Sequence, residues 1–427
     1  MLFRSCHAGK PTRTPGPPAY PGGAGGRLTW VFSAFVAYRK PWARPWWRPL
    51  RSAPAFALAG ALAAVLPVAS CTSAPASSDA RGSASAPRSA SPAITAAQAR
   101  RVWERYVATA AKAVSPRLAA PELALVTGAE RALLSATLAS HAVVVDQTSN
   151  GAYSSSLSVT PGLGVYTYGA PAFYLPEAAG YPRFFVVSVA RKLSGTKPTD
   201  NTSTTVGGAP MPLDGGTLML FQQASAHAPW LLGSTSQLPS GVAPPRLAAD
   251  QAGYIPTVPL SDASLLAQPD DTGALQAAVV DDGQASAAAQ AVADGPLTTG
   301  MYEGAVSHAG GLTAPHGDVY QWQLDASSLP QFALRTADGG ALVFYAMSLD
   351  TTVAVPDVIN KGNPIRSGPP IQVPVNVQAL LPKGQAAPLV QLQSQQTLSF
   401  AAVDPAPGNA KIQVVAMGGG LTSASAS

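Results

Sequence analysis

Cysteine is almost missing from this sequence, whose 427 residues include only Cys6 and Cys71. A chain with so few thiols cannot rest on a disulfide framework or on a zinc site built from several thiolates. Charged residues are also scarce, at 11%, where soluble proteins usually have about a quarter. The hydrophobic fraction of 47% is high enough for a buried core, so we expect a folded body that is stabilised by apolar packing.

Acidic residues are absent from residues 1–70, which contain nine Lys and Arg. A net charge of +5 for the whole chain would favour nucleic acid or anionic lipid as a partner. Residues 71–427 contain 18 Lys and Arg and all 22 Asp and Glu, which gives this part a net charge of −4. The excess of positive charge is therefore confined to the N-terminal segment, and we predict no nucleic-acid partner.

Residues 1–70 have the order of a secretory signal. Basic residues precede an apolar run at 53–69, which is too short and too rich in alanine for a typical membrane-spanning helix. After this run, "VASC" resembles the lipobox of bacterial lipoproteins, with the peptidase recognising Val68, Ala69 and Ser70. In that family the thiol of the next residue, here Cys71, is acylated with diacylglycerol, and cleavage leaves it as the new N-terminus.

The resemblance implies that membrane lipid is one partner, bound through acylated Cys71 at the extracytoplasmic face of the cell membrane. Acyl chains hold a protein on a bilayer through about 0.8 kcal/mol per buried methylene group. The alternative is an ordinary secretory signal with an incidental cysteine. The basic region before the apolar run is longer than lipoproteins usually have. Either the translation start is placed too early or the extension is genuine, and we favour the first interpretation.

Composition along the rest of the chain predicts its domain boundaries. A Ser/Ala/Pro-rich stretch at 71–93 is predicted to be a disordered tether, because it cannot bury enough apolar area to fold. A first α+β domain follows at 94–238 and a second at 263–417. Five prolines between them indicate a linker at 239–262, and the small polar residues of 418–427 indicate a disordered tail.

Each predicted domain begins with helices and continues with short strands, so the expected fold class is α+β. Thr95 and Gln98 have the spacing of a capping box at the start of the first helix. A second helix is predicted at 128–140 and strands from 142–148 onward. This order predicts helices packed on one face of a curved antiparallel sheet, as in the cystatin-like and nuclear-transport-factor-like cone folds.

Two similar stretches indicate an internal duplication. "DGGTLMLFQ" begins at Asp214 and "DGGALVFYA" begins at Asp338, 124 residues later, and Asp-Gly is a strong turn signal before a strand. Two unrelated turns of the same type are the alternative explanation. Together with the lipobox and the helix near Thr95, "TADGGALVFYAMSL" resembles a group of uncharacterised secreted lipoproteins of actinobacteria over roughly residues 90–420. That family implies no assigned activity.

Aromatic side chains are the first candidates for a binding site. On cone-shaped sheets alternate strand positions line a cavity that can hold a small apolar ligand, although ordinary core packing explains single aromatic residues equally well. The cavity candidates are Phe185, Phe221, Trp230, Trp322 and Phe344. A weaker metal set consists of Glu303, His308 and His316, with Asp318 nearby, but its surroundings are rich in glycine and typical of a loop.

Motifs for catalysis are missing. The sequence has neither the Gly-x-Ser-x-Gly elbow of serine hydrolases nor a phosphate loop. A single "DTG" starts at Asp271, whereas an aspartic protease needs two such carboxylates. We predict no catalytic residue and no cofactor. The expected function is non-catalytic ligand binding or protein interaction, with an envelope protein or a small apolar molecule as the partner. The alternative is an envelope-associated hydrolase or small-molecule enzyme with its site in one cone-shaped domain.

Overall fold

A computed structural model describes residues that all belong to one unit of the chain, Ser83–Ser427. The described residues are 92–113, 120–149, 166–177, 180–193, 203–206, 209–212, 215–316, 318–355, 371, 373, 375–382, 385, 390–408 and 410–427. The predicted signal sequence, the lipobox and the tether up to residue 91 lie outside the described residues, so they stay predictions.

The first five described α-helices lie in two groups that precede the main runs of strands, as the sequence predicts, and a short sixth one lies among the later strands. They are α1 (Ala96–Ala110), α2 (Ala120–Leu123), α3 (Gly128–Ser149), α4 (Thr272–Asp282), α5 (Thr299–His316) and the short α6 (Val375–Gln378). The predicted capping box is confirmed, because the Gln98 amide donates to the Thr95 hydroxyl at 3.3 Å and the Thr95 amide donates to Gln98 Oε1 at 3.0 Å. No helix in the described part of the chain has the length and apolar character needed to cross a membrane.

The predicted strand at 142–148 is wrong, since α3 continues through it to Ser149. Its β-branched residues favour a strand in isolation. The stretch directly follows "AERALLSATLAS", however, with no glycine or proline between them. Extending a helix that already exists costs little compared with starting a new element, so the helix continues.

Most strands join one large, mostly antiparallel sheet. The strands are β1 (Tyr166–Tyr168), β2 (Ala172–Glu177), β3 (Arg183–Val189), β4 (Arg191–Leu193), β5 (Ser203–Val206), β6 (Ala209–Pro212), β7 (Thr217–Gln223), β8 (Leu231–Gln237), β9 (Tyr254–Pro256), β10 (Val319–Ala326), β11 (Phe332–Arg335), β12 (Ala341–Ala354), β13 (Gln391–Asp404) and β14 (Gln413–Ala426). Ten of them form the order β10-β12-β13-β14-β8-β7-β3-β2-β9, with β11 also on β12; β2 and β9 are parallel. The pairs β1–β4 and β5–β6 stand outside this sheet.

The ends of the large sheet come back together, so that it is nearly closed and barrel-like. The chain around β9 meets β11 through two isolated bridges, Thr257 to Leu334 and Leu247 to Thr336. The interior is filled by one apolar cluster from eight strands and the adjoining chain. Its buried members are Phe184, Val186, Leu218, Leu220, Leu238, Ile255, Phe332, Leu334, Leu342, Phe344, Ala401 and Ala416.

The central strands are buried on both faces. On β3, Phe184 faces the interior, while Phe185 faces outward into a second cluster with α1, α2 and α3. On β12, Phe344 faces the interior and Tyr345 packs into a third cluster beneath α4 and α5. Because successive residues of a strand point to opposite faces, burial of both faces requires apolar residues at every position. This explains the unbroken apolar runs in the sequence.

The α+β class is confirmed, with helices packed against a curved and mostly antiparallel sheet. The two predicted halves, 94–238 and 263–417, do not have a sheet each, because β14 of the second half lies beside β8 of the first. Residues 239–262, predicted as the linker, include β9 and help to close the sheet. The duplication stays a prediction, although both repeated stretches lead into the middle strand of an antiparallel group, β3-β7-β8 and β11-β12-β13.

The predicted disordered tail is wrong, because 418–427 contributes most of its residues to β14. This strand pairs with β13 along its length, for example Gly419 with Leu398 and Ser425 with Gln393. Backbone groups form these ladder bonds whatever side chains they carry. A Gly/Ser/Ala-rich segment therefore becomes a strand when a neighbouring strand presents its edge, and composition alone does not reveal that edge.

The two halves of the sheet meet at a narrow seam between β14 and β8. One residue pair, Met417 with Gln237, is in register there, and Ser236 Oγ donates to the carbonyl of Ser399 at 3.2 Å. A Cβ atom on Gly418 would overlap the carbonyl oxygen of Thr235. The absence of a side chain at Gly418 therefore permits the close approach of the two strands.

Replacing Gly418 with alanine tests this seam. The methyl group has to displace backbone, so Gly418→Ala should lower the free energy of unfolding by about 2–3 kcal/mol, measured by urea denaturation. The matched control is Gly310→Ala in α5, where an added Cβ meets no atom within 4 Å and should stabilise the helix by about 0.5–1 kcal/mol. Equal effects of the two substitutions would contradict the close packing at Gly418.

Candidate functional site

The five aromatic candidates do not line one cavity. Phe185 stacks on Phe221 with ring centroids 4.9 Å apart, and Trp230 meets Phe185 edge-on at 5.2 Å. This group lies between the sheet and α1. Phe344 is in the interior of the sheet. Trp322 lies on β10, where its ring nitrogen donates to the carbonyl of Val280 at 3.2 Å. The structure therefore brings together three of the five, and two of those three are fully buried core residues.

The interior of the sheet offers almost no space. The cavity beside Phe344, Phe332 and Leu220 has a volume of about 20 Å³, which is enough for roughly one water molecule. Large side chains occupy the rest of the interior in the described part of the chain. A small apolar ligand of the kind expected for a cone-shaped sheet does not fit at this position.

The weak metal candidates are not assembled into a site. Glu303 and His308 lie on exposed positions of α5 and are five positions apart, which points them in different directions on a helix. The His308 ring instead meets Tyr320 edge-on at 4.7 Å. His316 ends α5, but its side chain is outside what is described. Across the described ranges no three His, Cys, Asp or Glu side chains gather as metal ligands would.

An open groove lies where the chain enters the folded unit. Its volume is about 510 Å³. Pro92 and Ala93 form one wall together with the start of α1, and the opposite wall comes from the turn before β3 and from the β7–β8 hairpin. Its charged and aromatic side chains are Arg101, Arg105, Arg183, Tyr181 and Trp230. Of the sequence-predicted residues, only Trp230 lines this groove.

Helix α1 presents two of the three arginines. Arg101 and Arg105 are four residues apart, so they share one face of the helix, and both are exposed. The opposite face is fixed on the sheet by the buried Trp103 and Tyr106, and the capping box at Thr95 sets where the helix starts. The packing of these two residues therefore keeps Arg101 and Arg105 on the exposed face of the helix.

Arg183 reaches the groove from the start of β3. It is on the same face of the strand as Phe185, toward α1. Its Nη1 donates to the carbonyl of Ala93 at 3.4 Å, and its guanidinium lies 4.8 Å from the centre of the Tyr181 ring. A cation over an aromatic face is held electrostatically. Arg183 is thus positioned beside the entering chain before any ligand binds.

The groove is positively charged without local compensation. In the described part of the chain, the ion pair that forms is Arg335 with Asp262 at 2.6 Å. No described carboxylate lies within ion-pair distance of Arg101, Arg105 or Arg183, even though Glu104 is on the same helix. Arginines at such an opening offer donors that suit an anion, because guanidinium donates paired hydrogen bonds to carboxylate and phosphate oxygens.

A second group of ionisable residues is buried beneath the helices and escaped prediction from the sequence. Tyr106 of α1 donates to Glu122 of α2 at 3.4 Å in a buried contact, and Glu122 is only 6% exposed. Burial and, to a smaller extent, the nearby Glu130 raise the pKa of Glu122 to about 7, against the effect of the Tyr106 hydrogen bond. Burial also raises the pKa of Glu130, which the charge of Arg191 partly opposes. These residues come from separate elements of secondary structure, so no local sequence motif predicts that they meet.

The same burial affects a neighbouring tyrosine. The pKa of Tyr168 is raised to about 12, again mainly by burial and against the charge of Arg191. The carboxyl groups of Glu122 and Glu130 therefore tend to stay neutral where an exposed carboxyl would ionise. Their effect should be on stability as a function of pH.

The pH dependence of stability tests the buried glutamate. The folded-state pKa of Glu122 is above its reference value of 4.5, so the folded protein binds the proton more tightly than the unfolded chain does. The contribution is fully present below pH 4.5 and is lost as pH rises to about 7. Glu122→Gln should remove part of this slope and raise the free energy of unfolding at pH 8 by about 1–2 kcal/mol.

Urea denaturation between pH 4 and pH 8 measures this slope. Asp281 and Asp404, whose pKa values burial raises to about 6, should keep a part of it in the variant. The control is Glu104→Gln, which removes an exposed carboxyl and should preserve the full slope. An unchanged slope in Glu122→Gln would show that this carboxyl does not hold a proton in the folded protein.

Comparison with known proteins relates this fold to a family. A relative named "Uncharacterized lipoprotein" from Streptomyces avermitilis is 28% identical over 176 residues, which is 40% of this chain and 44% of the relative. The match thus covers less than half of that relative's length. No solved structure matched. The family model described as Domain of unknown function (DUF8094) matches residues 90–426, which contain the groove and the whole sheet. Because that match spans most of the chain, the protein belongs to this family of unknown function.

Proposed function

We propose that this chain is a lipid-anchored protein of the extracytoplasmic face of the cell membrane that binds an anionic ligand in its arginine-lined groove. The observation that carries the binding role is the convergence of Arg101, Arg105 and Arg183 on one open space without a compensating carboxylate in the described part of the chain. Such an arrangement leaves charge-assisted hydrogen bonds available to a ligand.

The anchoring part of the proposal is supported by the sequence before the fold. "VASC" at the end of an apolar run resembles a lipobox, and the Streptomyces relative is named as a lipoprotein. An acyl anchor on Cys71 is compatible with a folded unit whose described helices include none able to cross a membrane. The positive segment before the apolar run would remain on the cytoplasmic side, in agreement with the usual charge bias of signal sequences.

The chemistry of the groove supports binding over catalysis. Its described lining contains no Asp, Glu, His or Cys, which are the usual general acids, bases and nucleophiles. The buried carboxyl groups of Glu122 and Glu130 are enclosed by helices and do not contribute to this lining. The groove therefore offers positive charge and hydrogen-bond donors but no group suited to proton transfer at neutral pH.

The groove also favours an anion over the two partners expected from the sequence. The cavity beside Phe344, Phe332 and Leu220 has a volume of about 20 Å³, which is too small for the apolar ligand expected from the sequence. Docking of an envelope protein on an apolar surface has little support, because the exposed large hydrophobic residues in the described ranges are Tyr181 and Val306. Two scattered residues do not make the contiguous patch that such docking requires.

Substitution of the lipobox cysteine tests the anchor. Cys71→Ala should abolish incorporation of labelled fatty acid and prevent cleavage before residue 71, because the thiol is the acyl acceptor in the family that the motif resembles. Metabolic labelling and mass spectrometry of the membrane fraction measure both effects. The matched control is Cys6→Ala, which removes the other cysteine and should leave labelling intact. Persistent labelling of Cys71→Ala would overturn the anchor.

Binding of a lipid-free polyanion tests the groove. The mature chain from residue 71, made with Cys71→Ser so that no acyl group is attached, should bind fluorescent dextran sulfate in a salt-dependent manner. Arg101→Gln combined with Arg105→Gln should weaken binding about 30-fold, given roughly 1 kcal/mol for each charge. Arg246→Gln, an exposed arginine outside the groove lining, is the control. Equal binding by all three proteins would show that the groove is not the anion site.

A further inference from the structure

We infer that the ligand of the groove is the phosphodiester headgroup of an anionic phospholipid, in the same bilayer that holds the acyl chains of Cys71. This inference rests on the proposed function and makes its ligand specific. The groove would then act as a second contact with the membrane. It would orient the folded unit on the surface to which the N-terminus is attached.

The position of the groove in the chain is the first support. Pro92 and Ala93, which form part of its wall, are the first described residues. Cys71 is 21 residues before Pro92. A Ser/Ala/Pro-rich segment of that length, which the sequence predicts to be a disordered tether, would have an average end-to-end distance of about 25 Å. Among the described surfaces, the groove is therefore the one closest in sequence to the anchor, and headgroups would face it at high effective concentration.

The distribution of charge is the second support. Residues 92–238 contain ten Lys and Arg against seven Asp and Glu, whereas residues 239–427 contain six against fourteen. The half that carries the groove and the attachment point is thus positive, and the other half is strongly negative. An anionic bilayer attracts the first half and repels the second, so the groove side is the side that approaches the membrane.

The side chains of the groove are the third support. Arg101 and Arg105 on α1 line the opening together with Arg183. The exposed guanidinium groups of Arg101 and Arg105 can each donate two hydrogen bonds to phosphodiester oxygens, and Arg183, whose Nη1 already donates to the carbonyl of Ala93, adds positive charge. Tyr181, at 42% exposed, and the half-buried Trp230 are at the same opening. Tyr and Trp are enriched at membrane surfaces, because their rings are apolar at one end and polar at the other.

A basic groove and an acyl anchor on the same protein would also hold it on a membrane more firmly than the anchor alone. A basic surface that binds headgroups adds to the hold of acyl chains, and lipid-anchored proteins commonly combine the two kinds of contact. A soluble phosphorylated polymer would satisfy the arginines equally well. A soluble polymer would not explain why aromatic rings lie beside the arginines, or why the groove is close in sequence to the predicted anchor. A lipid headgroup explains both features, so we assign the site to lipid.

Vesicle binding tests the inference. The mature chain with Cys71→Ser is sedimented with vesicles of phosphatidylcholine alone and with vesicles that contain 30% phosphatidylglycerol, at physiological ionic strength. We expect binding to the anionic vesicles only. Arg101→Gln combined with Arg105→Gln should weaken it about 30-fold, while Arg246→Gln should bind as the parent does. Thermal melts of each variant establish that it is folded, and single Arg101→Glu replaces the double variant if that one is not.

The outcomes separate the inference from the proposed function. Groove-dependent binding to anionic vesicles supports the inference. If dextran sulfate binds through the groove but the vesicles do not, the anion site stands and the lipid assignment is overturned. Tighter binding of glycerol 3-phosphate than of the anionic vesicles also overturns it in favour of a soluble phosphate ester. If neither probe depends on the groove arginines, both proposals fail.

Discussion

Burial of both faces of the central strands is the constraint on which the rest of this structure depends. Strands β3, β7 and β12 direct alternate side chains into the filled interior and beneath the helices, so neither face can be left to water. Each half of the sheet therefore needs its own helical cover, α1–α3 on one side and α4–α5 on the other. This requirement explains why helices precede strands twice in a chain that nevertheless forms one sheet.

The same constraint determines where binding can occur. A filled interior moves any ligand to the outer surface, and the helical covers leave openings only at their edges. Helix α1 illustrates the connection, since Trp103 and Tyr106 anchor it on the sheet while Arg101 and Arg105 remain exposed on its far side. The proposed binding surface is thus a consequence of the packing of α1 on the sheet. The buried Glu122 belongs to the packed side, and its protonation affects the support of the groove rather than the groove itself.

The parts of the fold that depend on local sequence could be predicted, and the parts that depend on distant contacts could not. The capping box at Thr95 and strands such as β3 and β7 are visible in their own residues. Two contacts join segments that are far apart in the chain, the closure between Thr257 and Leu334 and the seam at Gly418. Because neither contact is visible in the local sequence, the sequence predicted two separate sheets where the structure has one. At the site, Trp230 was predicted. The pair Arg101 and Arg105 carried a recognisable four-residue spacing, but nothing local connected it to Arg183, which lies 78 or more positions later.

Net charge shows why a local arrangement matters more than the total. The whole chain is positive by five, but residues 71–427 are negative by four, so after removal of the signal the protein as a whole would be repelled by an anionic surface. At physiological ionic strength charges act over about 8 Å, so a surface senses the groove and not the distant carboxylates of the second half. The arginines can therefore attract an anion that the overall charge would reject. In other orientations the negatively charged remainder would come within that distance and be repelled. The protein would therefore approach an anionic surface in the one orientation that brings the groove arginines close to it.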